Sequence, residues 1–367
     1  MSTTCRTPGD TPSPTTMRRG DPLDEMLAAI DAPTAAAIQA CAAAAIEIGE
    51  RIAVHPFDHD PDDRDGLRLG TNATGDRQQL LDIVGDAVMA RHLDRAGVAA
   101  IASEERRDAE FLNPSGGIAV AYDPIDGSKN VTTNAAVGMI FSIRPHPGGD
   151  DPAVAFMHDG TTQTAAGLVL YGPATVMALT IGEGTHLFAL DPATGRFIAA
   201  DTDLAIPHGT TEYAINASNR RHWTPEVRQY VNDLVAGASG PRERNFNTRW
   251  LGALVGEVIR ILRQGGIYLY PADRRATHRQ GSLRLVYEAH PVAMLVEQAG
   301  GTATDGRQPI LACAPSTLHA RTPLVFGSPD KVERFGRYTG DSFGNAETAP
   351  LFAGRGLFRN DHTGTAP

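Results

Sequence analysis

The sequence predicts an α/β protein made of two layered units that meet near residues 207–212. Three observations carry this. At 367 residues the chain exceeds what one hydrophobic core usually organises, and 41% apolar content is enough to fill two. Segments with apolar residues at helical spacing alternate with short apolar runs bounded by Gly, Pro, Asn and Asp. The short runs fall into two groups, one between residues 98 and 200 and one after Pro207.

In chain order, residues 1–22 (MSTTCRTPGDTPSPTTMRRGDP) are rich in Ser, Thr and Pro. Their few apolar side chains cannot offset the entropy of ordering, so they read as a disordered tail. From Leu23 to Ile52 the apolar spacing predicts one or two helices, followed by a long acidic loop. Asp58, Asp60 and Asp62 alternate there as in a calcium loop, but Asp63 and Leu69 stand where an EF-hand needs Gly and Glu. QQLLDIVGDAVMARHLDRAG is a helix closed by Gly97. VAAIA and GIAVAY are short buried strands that deliver SEE and DPIDGS at their carboxyl ends, where ligands gather in layered α/β folds. MIFSI, TAAGLVLYG, TVMALTIG, THLFAL and RFIAA continue as mixed or antiparallel sheet. The second unit reads strand EYAIN, helix TPEVRQYVNDLV, helix LGALVGEVIRILRQGG, strands IYLY and LRLVYE, helix PVAMLVEQAGG and strand PLVFG. The expected divisions are 1–22, 23–208, 209–338 and a C-terminal tail at 339–367.

A formal charge of −10 argues against a nucleic-acid or membrane-surface binder, either of which needs a basic face. Cys5, Cys41 and Cys313 are scattered, with neither a disulfide framework nor CxxC spacing, which fits a reducing cytosol. No HExxH, GxSxG or Walker A pattern occurs.

The acids are more informative. Asp76 and Asp82 flank a helix start, Glu104 and Glu105 end one strand, Asp123 and Asp126 end the next, and Glu288 ends a strand far downstream. Magnesium takes hard oxygen ligands and leaves positions for water and phosphate, so acids drawn from several loops suit it. In DPIDGS, Pro124 holds Asp123 extended, the Ile125 carbonyl can join the carboxylates, and Gly127 lets backbone approach a phosphate that Ser128 can meet. Any one of these motifs alone is better read as a solvated turn; their joint occurrence at strand ends is what points to a metal.

DPIDGS with the upstream SEE resembles the lithium-sensitive, metal-dependent phosphatase superfamily. The inositol monophosphatase branch carries a Trp-Asp pair, whereas both tryptophans here are followed by other residues, Thr224 and Leu251. TNATGDRQQLLDIVGD, INASNRRHW, NTRWLGALVGEVIR, GGIYLYPADRR and LRLVYEAHPVAMLVEQAGG, spread from about Thr71 to Phe335, resemble class I fructose-1,6-bisphosphatase. The resemblance implies an α+β layered sandwich of two mixed-sheet domains, with helices between and outside the sheets. It implies a cytoplasmic homotetramer that hydrolyses the 1-phosphate of fructose 1,6-bisphosphate with two or more Mg2+ ions, Mn2+ being an alternative. A dual fructose/sedoheptulose bisphosphatase, another sugar or polyol phosphatase, and an inactive regulatory paralogue are the competing readings.

Carried over, the resemblance places Glu104, Glu105, Asp123, Asp126, Glu288 and the Ile125 carbonyl on the metals. Asp82 with Glu105 accepts the proton of the attacking water, and Asp76 pairs with Arg284, which faces the phosphate. Asn219, His222, Trp250 and Tyr270 hold the far phosphate, and Arg249 reaches into a neighbouring subunit. Ser282 stands where the family has a substrate lysine, in a loop two residues longer, and the family's AMP-binding turn is missing. Lys129, beside Ser128 in the phosphate-facing turn, is expected to replace that lysine's charge in part, with Arg279 as the other source.

Overall fold

The structure, a computed structural model, describes residues 17–54, 68–71 and 77–340. Two helices, α1 (Leu23–Leu27) and α2 (Ala32–Val54), precede an antiparallel pair, β1 (Arg68–Thr71) and β2 (Arg77–Gln79), which leads into α3 (Leu80–Arg95). Next come β3 (Ala100–Ser103), β4 (Glu110–Phe111), β5 (Ile118–Asp126), β6 (Val137–Pro145), β7 (Ala165–Tyr171), β8 (Val176–Thr180), β9 (Thr185–Asp191) and β10 (Arg196–Asp201). They form one eight-stranded sheet ordered β10-β9-β8-β7-β6-β5-β3-β4, antiparallel except where β3 runs parallel to β5. That parallel neighbour pair brings the two acidic strand ends side by side.

The second half contains β11 (Glu212–Ile215), α4 (Pro225–Val235), β12 (Asn247–Thr248), α5 (Leu254–Gln264), β13 (Ile267–Tyr270), β14 (Leu283–Arg284), α6 (His290–Gln298), β15 (Thr302–Thr304), β16 (Arg321–Thr322), β17 (Leu324–Gly327) and α7 (Pro329–Thr339). The sheet order is β12-β11-β13-β17-β15, with β14 and β16 paired separately. Strand alternation sorts side chains between layers. On β6, Met139, Phe141 and Ile143 join the core beneath α1–α3, while Ile140 faces α5 and α6. On β13, Tyr268 faces that central helical layer and Ile267 and Leu269 face α4 and α7. The result is the expected sandwich, helices outside each sheet and α5 and α6 between them.

α2 is long and apolar enough to cross a membrane by length and composition. Here Ala37, Ile38, Cys41, Ala44, Ala45 and Ile48 are buried in the core with α3 and the first sheet, and Glu47 pairs with Arg91 and His92 of α3.

Two expectations need correction. Part of the tail assigned to residues 1–22 belongs to the fold: Met17 is buried, and Gly20 and Asp21 exchange backbone bonds with Ala199 of β10, covering the sheet edge. Residues 1–16 and 341–367, and the aspartates of the acidic loop, lie outside the described residues. The strand expected over LRLVYE is only Leu283–Arg284; Leu285–Ala289 is a π-helical turn running into α6. Five consecutive buried residues there follow no period of two, so the apolar run alone could not separate strand from helix.

Candidate active site

β5 does not stop at Tyr122 but continues through DPID, with its register to β6 shifted between Asp123 and Asp126. A bulge tolerates Pro124, which has no N–H to give the ladder. Ile125 N donates to Asp123 Oδ1 at 3.0 Å, fixing that carboxylate. From the other side, the π-helical turn presents Glu288, whose Oε2 accepts from Arg284 N. Asp126 Oδ2 accepts from Val255 N at 2.8 Å, capping α5, whose own N-cap residue Ala253 has no side chain able to do so.

Oxygens of Asp123, Asp126 and Glu288 all lie within 4.8 Å of one another. Burial, then the surrounding Glu104, Asp126, Glu288 and Glu105, pushes Asp123 well above the usual carboxylate range. Asp126 is raised to about 7, by burial and Glu104 against the two α5 N–H groups, and Glu288 is raised by burial, Glu104 and Asp126. Three carboxylates packed this tightly in a protected site fit a hard divalent cation, which offsets their mutual repulsion.

The SEE segment follows β3. Glu104 N donates to Tyr122 O at 3.1 Å and Glu105 N to Ser103 Oγ at 3.2 Å. Arg284, 2% exposed, points Nε toward Glu104 Oε1 at 3.5 Å. Sequence reasoning missed the group that holds this segment: Arg106 Nε donates to Asp86 Oδ2 at 2.8 Å, and the buried Tyr122 hydroxyl donates to Asp86 Oδ1 at 2.9 Å. Asp86 lies one turn beyond the buried Asp82 on α3, an i, i+4 pair of buried acids that could have drawn attention to that face. α3 seats closely on DPID because Gly85 leaves only 3.1 Å between a would-be Cβ and Ile125 Cγ1. Asp76 lies outside the described residues.

Gly127 has φ +79°, and a Cβ there would stand 2.8 Å from Ala253 Cβ. The turn brings Ser128 half-buried to the start of a 3-10 segment, Ser128–Thr133, while Lys129 is exposed.

Asn219, Tyr270 and Ser282 line one pocket, together with residues not anticipated, among them Asp273, Arg275 and His278, whereas His222 and Trp250 are not part of its lining. Arg275 is held in a fork by Asp273, with Nε 2.9 Å from Oδ2 and Nη2 also paired. Burial works to raise Asp273, but the Arg275 bonds outweigh it and hold the carboxyl below its ordinary value. The loop reaches the 219–223 turn through Arg274 N to His222 O at 3.0 Å and Arg274 Nη2 to Arg221 O at 2.9 Å. His222 is half-buried, and desolvation with the nearby Arg221 and Arg275 lowers its pKa. Trp250 is 38% exposed and stacks on Tyr268 and Tyr270 at 5.9 and 6.3 Å between ring centres. Arg249 is exposed, with Nε 3.1 Å from Glu212. Arg279 lines a separate cleft.

Residues 65–202 match the family model described as the fructose-1,6-bisphosphatase N-terminal domain, and residues 206–340 match the C-terminal domain of the same family. The class 1 fructose-1,6-bisphosphatase of Acidiphilium cryptum is 46% identical over 342 residues, covering 92% of this chain and 95% of that protein. The one from Bradyrhizobium diazoefficiens is 47% identical over 326 residues, 89% and 93% of the two chains. The crystal structure of Leishmania major fructose-1,6-bisphosphatase in holo form superposes with a TM-score of 0.81 at 30% identity, over 88% of this chain and all of that one.

Proposed function

This chain belongs to the fructose-1,6-bisphosphatase family, and from that premise we propose how its residues hydrolyse fructose 1,6-bisphosphate. The observation that carries the reading is the buried Asp123–Asp126–Glu288 triad, within 4.8 Å and flanked by Glu104 and Arg284. These three, with Glu104, Glu105 and the Ile125 carbonyl, would hold Mg2+. A bound ion of this kind neutralises phosphate oxygens and lowers the pKa of water.

The protein's own groups do the rest. Ser128 and the N–H groups after Gly127 face the 1-phosphate, and Arg284 offers its guanidinium to the same oxygens. Asp82 and Glu105 take the proton from the attacking water as its oxygen bonds to phosphorus. The bond from phosphorus to the sugar's C1 oxygen breaks, that oxygen takes a proton from solvent water, the proton held by Asp82 and Glu105 passes back to solvent, and fructose 6-phosphate leaves. Asn219, His222, Trp250 and Tyr270 orient the 6-phosphate; Arg275, held by Asp273, presents guanidinium donors where Ser282 has none, with the His278 imidazole beside it, leaving Lys129 at the rim. Arg249 completes the pocket of a neighbouring subunit in a homotetramer.

The test is phosphate release from fructose 1,6-bisphosphate and sedoheptulose 1,7-bisphosphate, each with and without magnesium. Magnesium-dependent release from the fructose ester is expected. No release from either sugar would overturn the reading and favour an inactive paralogue.

A further inference from the structure

The loop from Ala272 to Gly281 serves two cavities. Asp273, Arg275 and His278 line the small pocket assigned above to the 6-phosphate. Ala276, Thr277, Arg279, Gln280 and Gly281 line a different cleft, of about 940 Å³. That cleft's other wall is the turn at Asp305–Gln308 and the segment Cys313–Pro323.

Its chemistry is one-sided. Arg279 from the loop and Arg307 from the turn are both exposed, and among the described residues neither has a carboxylate partner. Arg321 adds a third guanidinium, and Ser316 and Thr317 add hydroxyls. Among the described residues the one carboxylate in the lining, Asp305, is engaged by its own turn, Oδ1 accepting from Arg307 N at 2.7 Å and Gln308 N at 2.8 Å. Among the described residues the lining of this cleft thus carries three guanidinium groups and one carboxylate. Guanidinium forks beside hydroxyls match the oxygens of a phosphate ester.

The cleft is also mechanically tied to the active site. Gly281, φ +84°, sits so close to β16 that a Cβ would fall 2.0 Å from the Thr322 carbonyl carbon. β16 pairs with β14, where Arg321 stands opposite Arg284. A ligand held by Arg279 and Arg307 would therefore touch the loop that carries Arg275, in a cleft also lined by β16, the partner of the strand that carries Arg284.

We propose that this cleft is a second anion site, which binds a small phosphorylated metabolite and modulates hydrolysis through the Ala272–Gly281 loop. The modulation rests on the neighbouring pocket being the substrate site, whereas the binding does not.

The probe is 3-phosphoglycerate, with glycerate as the phosphate-free control. Full-length enzyme in excess magnesium is titrated by calorimetry, and fructose 1,6-bisphosphate hydrolysis is followed with and without the probe. Saturable binding of the phosphate ester alone is expected, with at least a twofold change in KM when the site is full. Arg307→Glu should weaken binding about tenfold or more, the loss of a charge-assisted contact, while leaving probe-free kcat and KM within about twofold. Arg307→Lys should keep most of the binding. The proposal is overturned if the probe does not saturate, binds Arg307→Glu equally, or leaves KM unchanged when bound. Arg307-dependent binding to an enzyme inert toward fructose 1,6-bisphosphate would support the site and strike the substrate assignment instead.

Discussion

Replacing Gly127 by alanine tests how the acidic turn is seated. The added Cβ would lie 2.8 Å from Ala253 Cβ and 3.2 Å from Ala136 O, and the residue would have to keep φ +79°. The left-handed backbone costs about 1 kcal/mol for a residue with a Cβ, and overpacking adds about 1–3 kcal/mol. The sum, roughly 2–4 kcal/mol, should lower the melting temperature by several degrees. Relief by backbone shift would pull Asp126 off Val255 N, so kcat should fall as well. The strain has a named partner, which permits a cycle. Ala253→Gly removes the opposing methyl at an N-cap position where glycine is well tolerated, and should recover the steric part but not the backbone part. Scanning calorimetry and kcat on both single variants and the double variant measure this. A Gly127→Ala enzyme that melts with wild type, or a double variant no better than the single, would refute the seating described.

Other substitutions separate the roles of individual residues. Asp123→Asn and Glu105→Gln should each lose most activity, but only the former, a ligand loss, should partly recover at high magnesium; equal recovery would contradict the division. Arg275→Ala should raise KM for the bisphosphate about tenfold or more with little change in kcat, whereas Lys129→Ser should change KM less than about twofold. The reverse ranking in steady-state kinetics would return the pocket's cation to Lys129. Glu297 on α6 is raised from 4.5 to about 7 by burial. Folded protein therefore retains a proton that the unfolded chain releases, and the group costs stability as pH rises from 4.5 through 7. With partial exposure discounted, Glu297→Gln should stabilise by about 1–2 kcal/mol at pH 8 and by nothing at pH 4.5. Melting curves that differ equally at both pH values would contradict this.

What could be read in the sequence was what is local. DPIDGS and SEE declare themselves because carboxylates, proline and glycine sit at the ends of apolar strands, and both segments meet across the β3–β5 ladder. The layering followed from short, wholly apolar runs such as Ile267–Tyr270, whose alternate residues join different cores. Arg275 and His278 were not legible, since they reach the pocket only after the loop docks on the turn at His222, more than fifty residues earlier. Asp86 was hidden for the same reason: its partners, Arg106 and Tyr122, come from two later elements. Glu288 was recognised, but not the π-helical turn that presents it, because a buried helical turn and a buried strand share one apolar signature.

The central claim is that the Asp123–Asp126–Glu288 cluster serves the hydrolysis of one particular phosphate. Phosphorus-31 NMR of fructose 1,6-bisphosphate turnover observes this directly, since the two phosphates resolve as separate signals. Loss of the 1-phosphate resonance is expected, with growth of inorganic phosphate and fructose 6-phosphate, only when magnesium is present, and with no turnover in Glu288→Gln. Accumulation of fructose 1-phosphate, or wild-type turnover in Glu288→Gln, would contradict the account.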